Sequence, residues 1–115
     1  MFDAKARLDR FQKGVGTLST ELPDTMSKLF EFIGAAQKAG ALTSREKELI
    51  AIAIGIYTRC EDCIAVHTYQ ALQAGCTRAE ILEAAAMAMG FGGGPSVGAT
   101  ASLLLDALDQ FEAKS

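Results

Sequence analysis

No stretch of this chain approaches the roughly 18 consecutive apolar residues of a membrane-spanning helix. The longest apolar run is Leu49 to Tyr57. The opening residues, Met1-Phe2-Asp3-Ala4-Lys5, lack the basic-then-apolar layout of a signal peptide. The expectation is therefore a cytoplasmic protein. A basic patch is missing too: 11 Lys and Arg are interspersed with 14 Asp and Glu, for a net charge of −3. That excludes the usual electrostatic footprint of a nucleic-acid binder. Cysteine is scarce and odd in number, three in all with two close together, which argues against a disulfide-stapled secreted framework. Histidine occurs once. Nothing reads as a linker or an internal repeat, so residues 1–115 are expected to form one domain, with no disordered tail beyond a few terminal residues.

What the chain has in quantity is apolar surface. Half of its 115 residues are hydrophobic and only 22% are charged. A small domain has a high surface-to-volume ratio and one modest core. This content predicts that part of the surface is buried against another subunit, in a homo-oligomer.

Nearly all of the sequence has helical periodicity, which predicts an all-α, single-domain bundle of about six helices. Met1, Ala4, Leu8, Phe11, Val15, Leu18 and Leu22 form one stripe at alternating spacings of three and four. Gly14 and Gly16 weaken its second half and predict a break or frayed end. Leu22-Pro23 resets the chain. Met26, Leu29, Phe30 and Ile33 mark a second helix that Gly40 is expected to close. Thr43-Ser44-Arg45-Glu46 fits a capping box opening the third. From Leu49 to Tyr57 this helix is apolar on all sides, as a central, fully buried helix would be. Alternating Ile and Ala would also suit a strand, but no second strand exists to pair with it. A fourth helix is predicted over Asp62 to Ala74, ended by Gly75. Thr77 to Glu80 forms a second capping box and opens an Ala- and Met-rich fifth helix, whose Met87 and Met89 suit core or interface filling. Gly90 to Pro95 is the clearest break. The last helix follows with the stripe Val97, Ala101, Leu104, Leu108 and Phe111. The Gly92-Gly93-Gly94 run lacks the preceding strand and lysine of a phosphate-binding loop and instead suits a sharp turn.

The chemistry is concentrated in Cys60-Glu61-Asp62-Cys63-Ile64-Ala65-Val66-His67. Two thiols three residues apart can form a short disulfide, bind zinc or simply fill space. Zinc could recruit Cys60, Cys63, His67 and Glu48, but no second CxxC or HxxxH pattern accompanies them. The redox reading is favoured and calls for no metal and no cofactor. The motif lies at a helix start, where backbone N–H groups favour thiolate over thiol. On a helix, Cys63 and His67 share a face one turn apart, so the imidazole can shuttle a thiol proton. Cys63 is accordingly taken as the attacking thiol and Cys60 as the resolving one. The opposite assignment stays open, because the first cysteine of such a pair is often the exposed nucleophile. Glu48 shares a helical face with Ile52, Gly55 and Ile56. There it is either a solvated surface carboxylate or the group that orients His67. Cys76, beside Gly75 at a helix junction, reads as structural.

Glu48, then eleven intervening residues, then Cys60-x-x-Cys63-x-x-x-His67, resembles the motif of the carboxymuconolactone decarboxylase-like superfamily, and more narrowly its alkylhydroperoxidase D-type branch. The resemblance is strongest over residues 23–111. It implies an all-α fold, assembly into a trimer or hexamer, and thiol-dependent reduction of hydroperoxides at the expense of a dithiol reductant. It also implies that Glu48, Cys60, Cys63 and His67 form the redox pair and its proton relay. Many members carry a histidine between the cysteines, where this chain has Asp62. A carboxylate there opposes thiolate formation unless it points to solvent. Two other functions are compatible with the sequence. One is decarboxylation of a lactone, although few cations other than Arg59 lie near the motif to hold a dicarboxylate. The other is a non-catalytic helical oligomer whose thiols sense redox state.

Overall fold

The computed structural model describes residues 1–112. Residues 113–115, and with them the expectation of a loose end at that terminus, lie outside the described residues. All regular structure among the described residues is helical. α1 spans Ala4–Glu21, α2 Pro23–Gln37, α3 Ser44–Thr58, α4 Glu61–Gln73 and α5 Arg78–Gly92. α6 (Gly94–Ala99) passes through a π-helical turn (Thr100–Leu104) into α7 (Leu105–Glu112). The residues at both joints keep right-handed helical dihedrals, so these segments make one rod. Six rods result, as the periodicity predicts.

The starts of the helices follow from the sequence. Thr43 accepts the Glu46 amide while the Glu46 carboxylate accepts the Thr43 amide. Thr77 and Glu80 repeat the arrangement at α5. Each box satisfies two amides that a helix start leaves without partners. The ends differ from expectation in three places. α1 runs unbroken through Gly14 and Gly16. A glycine costs a helix only about 1 kcal/mol relative to alanine, which does not interrupt a ladder of i→i−4 bonds. α2 stops at Gln37, ahead of Gly40, where Lys38 turns extended. The broad Gly90–Pro95 break narrows to one residue, Gly93, whose φ of 60° with ψ of −138° is a conformation that glycine alone adopts without strain.

α3 packs against α4 and α5, and α4 packs in turn against α1 and α7. Ile52 and Ile56 of α3, Ile64 of α4, Ile81 of α5, and Leu104 and Leu108 of the last rod form the centre of the core. α3 is not buried on all sides as its composition suggests. Ile52, Gly55 and Ile56 are buried, whereas Ile50, Ile54 and Tyr57 are exposed. These three line a shallow apolar groove with Ala84, Met87 and Phe91 of α5. α2 is more open still. Met26 is its only buried residue among those described, and Phe32 is 71% exposed.

Candidate active site

Of the four residues singled out from the sequence, Cys60 and Cys63 pair where α3 hands over to α4, and Glu48, near the start of α3, pairs with His67 of α4. Arg59 closes α3 in the left-handed conformation, with φ 54°. This tight reversal lays the start of α4 back along α3. The Cβ position of Gly55 lies 3.2 Å from Cβ of Cys63, so a side chain at Gly55 would require Cys63 to shift by a few tenths of an ångström. Glycine here lets the two helices approach without that adjustment.

Cys60 is the N-cap of α4, which starts at Glu61, one residue ahead of its predicted start, and the Cys60 sulfur accepts the Cys63 amide at 3.1 Å. Cys60 and Cys63 are joined as a disulfide, with Cα atoms 5.2 Å apart. His67 lies one turn beyond Cys63 on the same face of α4, a spacing that puts Cβ atoms about 5–6 Å apart. Its Nδ1 is 3.0 Å from Oε2 of Glu48 on α3. Both side chains of this pair are largely buried, at 17% and 14% exposure. Glu48 is therefore not a solvated surface carboxylate. Its partner fixes the imidazole: Nδ1–H donates to the carboxylate, which leaves Nε2 free to accept or return a proton. Among the described residues, no group of three or more His, Cys, Asp or Glu is arranged to hold a metal ion.

Asp62 is partly exposed, at 44%, and carries a partner. It does not stand free in solvent. The Arg7 guanidinium of α1 donates from Nε to Asp62 at 2.8 Å and approaches Glu61 at 3.3 Å. These hydrogen bonds, chiefly the one to Asp62, raise the pKa of Arg7 above its ordinary value. Sequence reasoning passed over Arg7, because the pair spans 55 positions and only the packing of α1 on α4 creates it. Cys76 behaves as expected of a structural thiol. It is buried, its Sγ faces the Arg45 carbonyl oxygen at 3.7 Å, and burial pushes its pKa up.

Comparison with known proteins places the chain in a family. The family model of the carboxymuconolactone decarboxylase family matches residues 23–106. The chain belongs to the carboxymuconolactone decarboxylase family. It is 38% identical over 93 residues to an uncharacterized protein of Cupriavidus necator, covering 81% of this chain and 82% of that one. The crystal structure of a family protein from Legionella pneumophila superposes with a TM-score of 0.91 at 32% identity, covering 96% of this chain and 97% of that one. A family protein from Thermotoga maritima, described with a possible involvement in antioxidative response, shares the fold. Its TM-score is 0.82 at 22% identity, covering 91% of this chain and 89% of that one. The family match begins at α2, so α1 and its Arg7 lie ahead of it. No helix among the described residues is long and apolar enough to cross a membrane.

Proposed function

We propose that the chain is a thiol-dependent peroxidase of the alkylhydroperoxidase D type. The observation that carries this reading is the His67–Glu48 hydrogen bond one helical turn from a paired CxxC. A carboxylate-oriented imidazole beside two thiols is what proton-coupled thiol oxidation needs. The antioxidative description of the Thermotoga protein runs in the same direction.

In the reduced protein, His67 Nε2 takes the proton of Cys63 and Glu48 stabilises the resulting imidazolium. The Cys63 thiolate attacks the distal oxygen of a hydroperoxide. The O–O bond breaks, Cys63 becomes a sulfenic acid, and the departing alkoxide takes the proton from His67 to leave as an alcohol. Cys60 then attacks the Cys63 sulfur, and water and the disulfide form. The Cys63 amide that meets Cys60 sulfur in the disulfide also favours a thiolate at Cys60. This assists the resolving attack and the return step, in which an external dithiol reduces the pair. The lactone-decarboxylase alternative needs cations to hold a dicarboxylate, and Arg7 is already engaged by Glu61 and Asp62.

The working form is a homo-oligomer, a trimer or hexamer. Support comes from the exposed apolar residues of α2 (Leu29, Phe30, Phe32) and of the α3–α5 groove, where Phe91 is 82% exposed. Such contiguous surface is unusual on a monomer. Peroxide consumption with dithiothreitol as reductant tests the activity. Dithiol-dependent turnover of an organic hydroperoxide supports it, and none above the uncatalysed rate overturns it. Light scattering tests the assembly. A species near 12.1 kDa at micromolar concentration would rule the oligomer out.

A further inference from the structure

Both residues between the two cysteines are acids. Glu61 and Asp62 occupy the first turn of α4, beside sulfurs that must carry negative charge to react. Left alone, these carboxylates would disfavour a thiolate. One side chain from outside the motif meets both of them: the Arg7 fork sets Nε on Asp62 and NH1 on Glu61. We infer that Arg7 is a positioning residue for the redox pair, holding the spacer carboxylates and cancelling part of their charge so that the thiols can ionise near neutral pH.

Docking of α1 does not by itself require this contact. The start of α1 is tied to the last rod by other bonds. The Phe2 amide donates to Asp106, the Ala4 amide donates to Gln110, and the Gln110 side-chain amide donates to the Phe2 carbonyl. Ala4 is fully buried. α1 is thus fixed about one turn before Arg7, and the guanidinium is carried over the start of α4. The ion pairs are partly exposed, with side-chain exposures of 34% and 44%, and ion pairs of that kind add little to stability. Their consequence for thiol ionisation is larger, because the charges sit inside the CxxC itself.

The other charged groups around the pair are few. Arg10 of α1 lines the clefts on both sides of Arg7. Arg59 precedes Cys60, and Glu48 is engaged by His67. Asp106 of α7 is turned to the Phe2 amide. None of these is hydrogen-bonded to Glu61 or Asp62 as Arg7 is.

The test is site-resolved alkylation of the reduced, full-length protein by iodoacetamide between pH 4 and 10, read by mass spectrometry. Arg7→Ala should move the pH midpoint of the more reactive cysteine upward and slow its alkylation at pH 7 by about 3- to 10-fold, a half to one pKa unit. Asp62→Asn should move the midpoint down and speed alkylation. The double variant should return close to the parent, and Arg7→Lys should keep most of the parent behaviour. In 1 M salt the differences should shrink. The Asp62→Asn arm guards against misfolding, because an unfolded thiol has a midpoint of about 8.5 and cannot gain reactivity below it. Midpoints that coincide in all five proteins, or an upward shift in Asp62→Asn, would overturn the proposal. The inference rests on reading the pair as a redox site, but alkylation needs no hydroperoxide. Shifted midpoints without peroxidase turnover would overturn the peroxidase reading and leave the role of Arg7 standing.

Discussion

The two faces of α3 are built from similar residues and have opposite fates. The inner face carries Glu48, Ile52, Gly55 and Ile56, and everything on it is largely or fully buried against α4 and α5. The outer face carries Ile50, Ile54 and Tyr57 and is open. Hydrophobicity alone does not separate them. The inner face is organised by one carboxylate and one glycine: Glu48 meets His67, and Gly55 lets Cys63 approach. The outer face has no such partner within the chain. One helix therefore carries the carboxylate that meets His67 on one side and leaves an apolar face open on the other.

The sharpest break in this comparison comes from the inner side. Cys63→Ser should reduce peroxidase turnover to the uncatalysed rate. Cys60→Ser, given one equivalent of hydroperoxide, should hold a sulfenic acid at Cys63 that a dimedone adduct traps. An adduct at Cys60 in the Cys63→Ser protein would exchange the two roles.

Next in size are the relay residues. His67→Ala and Glu48→Gln should each slow the peroxide step by about 10²-fold or more, the scale of general acid–base assistance. Stopped-flow oxidation of the reduced protein measures this step apart from the dithiol half-reaction. Unchanged rates would leave the thiols without the relay.

Much of the inner side was legible in the sequence, because it depends on local spacing. Cys63 and His67 are neighbours by helical geometry, and Thr43 with Glu46 announces where α3 must start, which fixes the face on which Glu48 falls. The helical face left Glu48 either solvated or orienting His67, and the resemblance to the family favoured the second. What could not be read depends on contacts distant in the chain. Arg7 meets Asp62 only because bonds from Phe2 and Ala4 to the last rod aim α1 across α4. The outer face of α3 was misread for a related reason. An all-apolar helix can be buried by its own chain or by a second one, and its sequence is the same in both cases. The π turn at Thr100–Leu104 gave no signal in the stripe through Ala101, Leu104 and Leu108.

A third experiment compares the two faces directly. Ile52 is fully buried, so Ile52→Ala should cost about 2–5 kcal/mol in denaturant unfolding. Ile54 is 58% exposed. Ile54→Asp should leave the stability of an isolated protomer within about 0.5 kcal/mol, yet reduce the assembly to smaller species in light scattering. If Ile54→Asp changes neither assembly nor stability, the outer face is ordinary surface and the contrast between the faces loses its meaning.

The smallest effect is in the caps from which both faces start. Hydrogen bonds from Thr43 hold the Glu46 carboxyl below its usual pKa, and Glu80 is lowered in the same way, first by the Thr77 amide. A carboxylate with a depressed folded pKa stabilises the fold above its unfolded value. That contribution is lost as pH falls through the folded value, which here means below about 4.5. Melting temperature should therefore decline between pH 5 and pH 3. Glu46→Gln with Glu80→Gln should flatten part of that decline, because glutamine can keep the box but has no proton to gain. Near pH 7 the substitutions should change little, since both carboxyls are exposed. The slope also reports on the outer face. α3 and α5 present their open groove just beyond these caps, so a partner subunit seated there would hold both helix starts and mask fraying at acid pH. The decline should accordingly be steeper in the dissociated Ile54→Asp protein than in the parent. Equal slopes in the two would mean that a partner seated on the groove does not reach the helix starts.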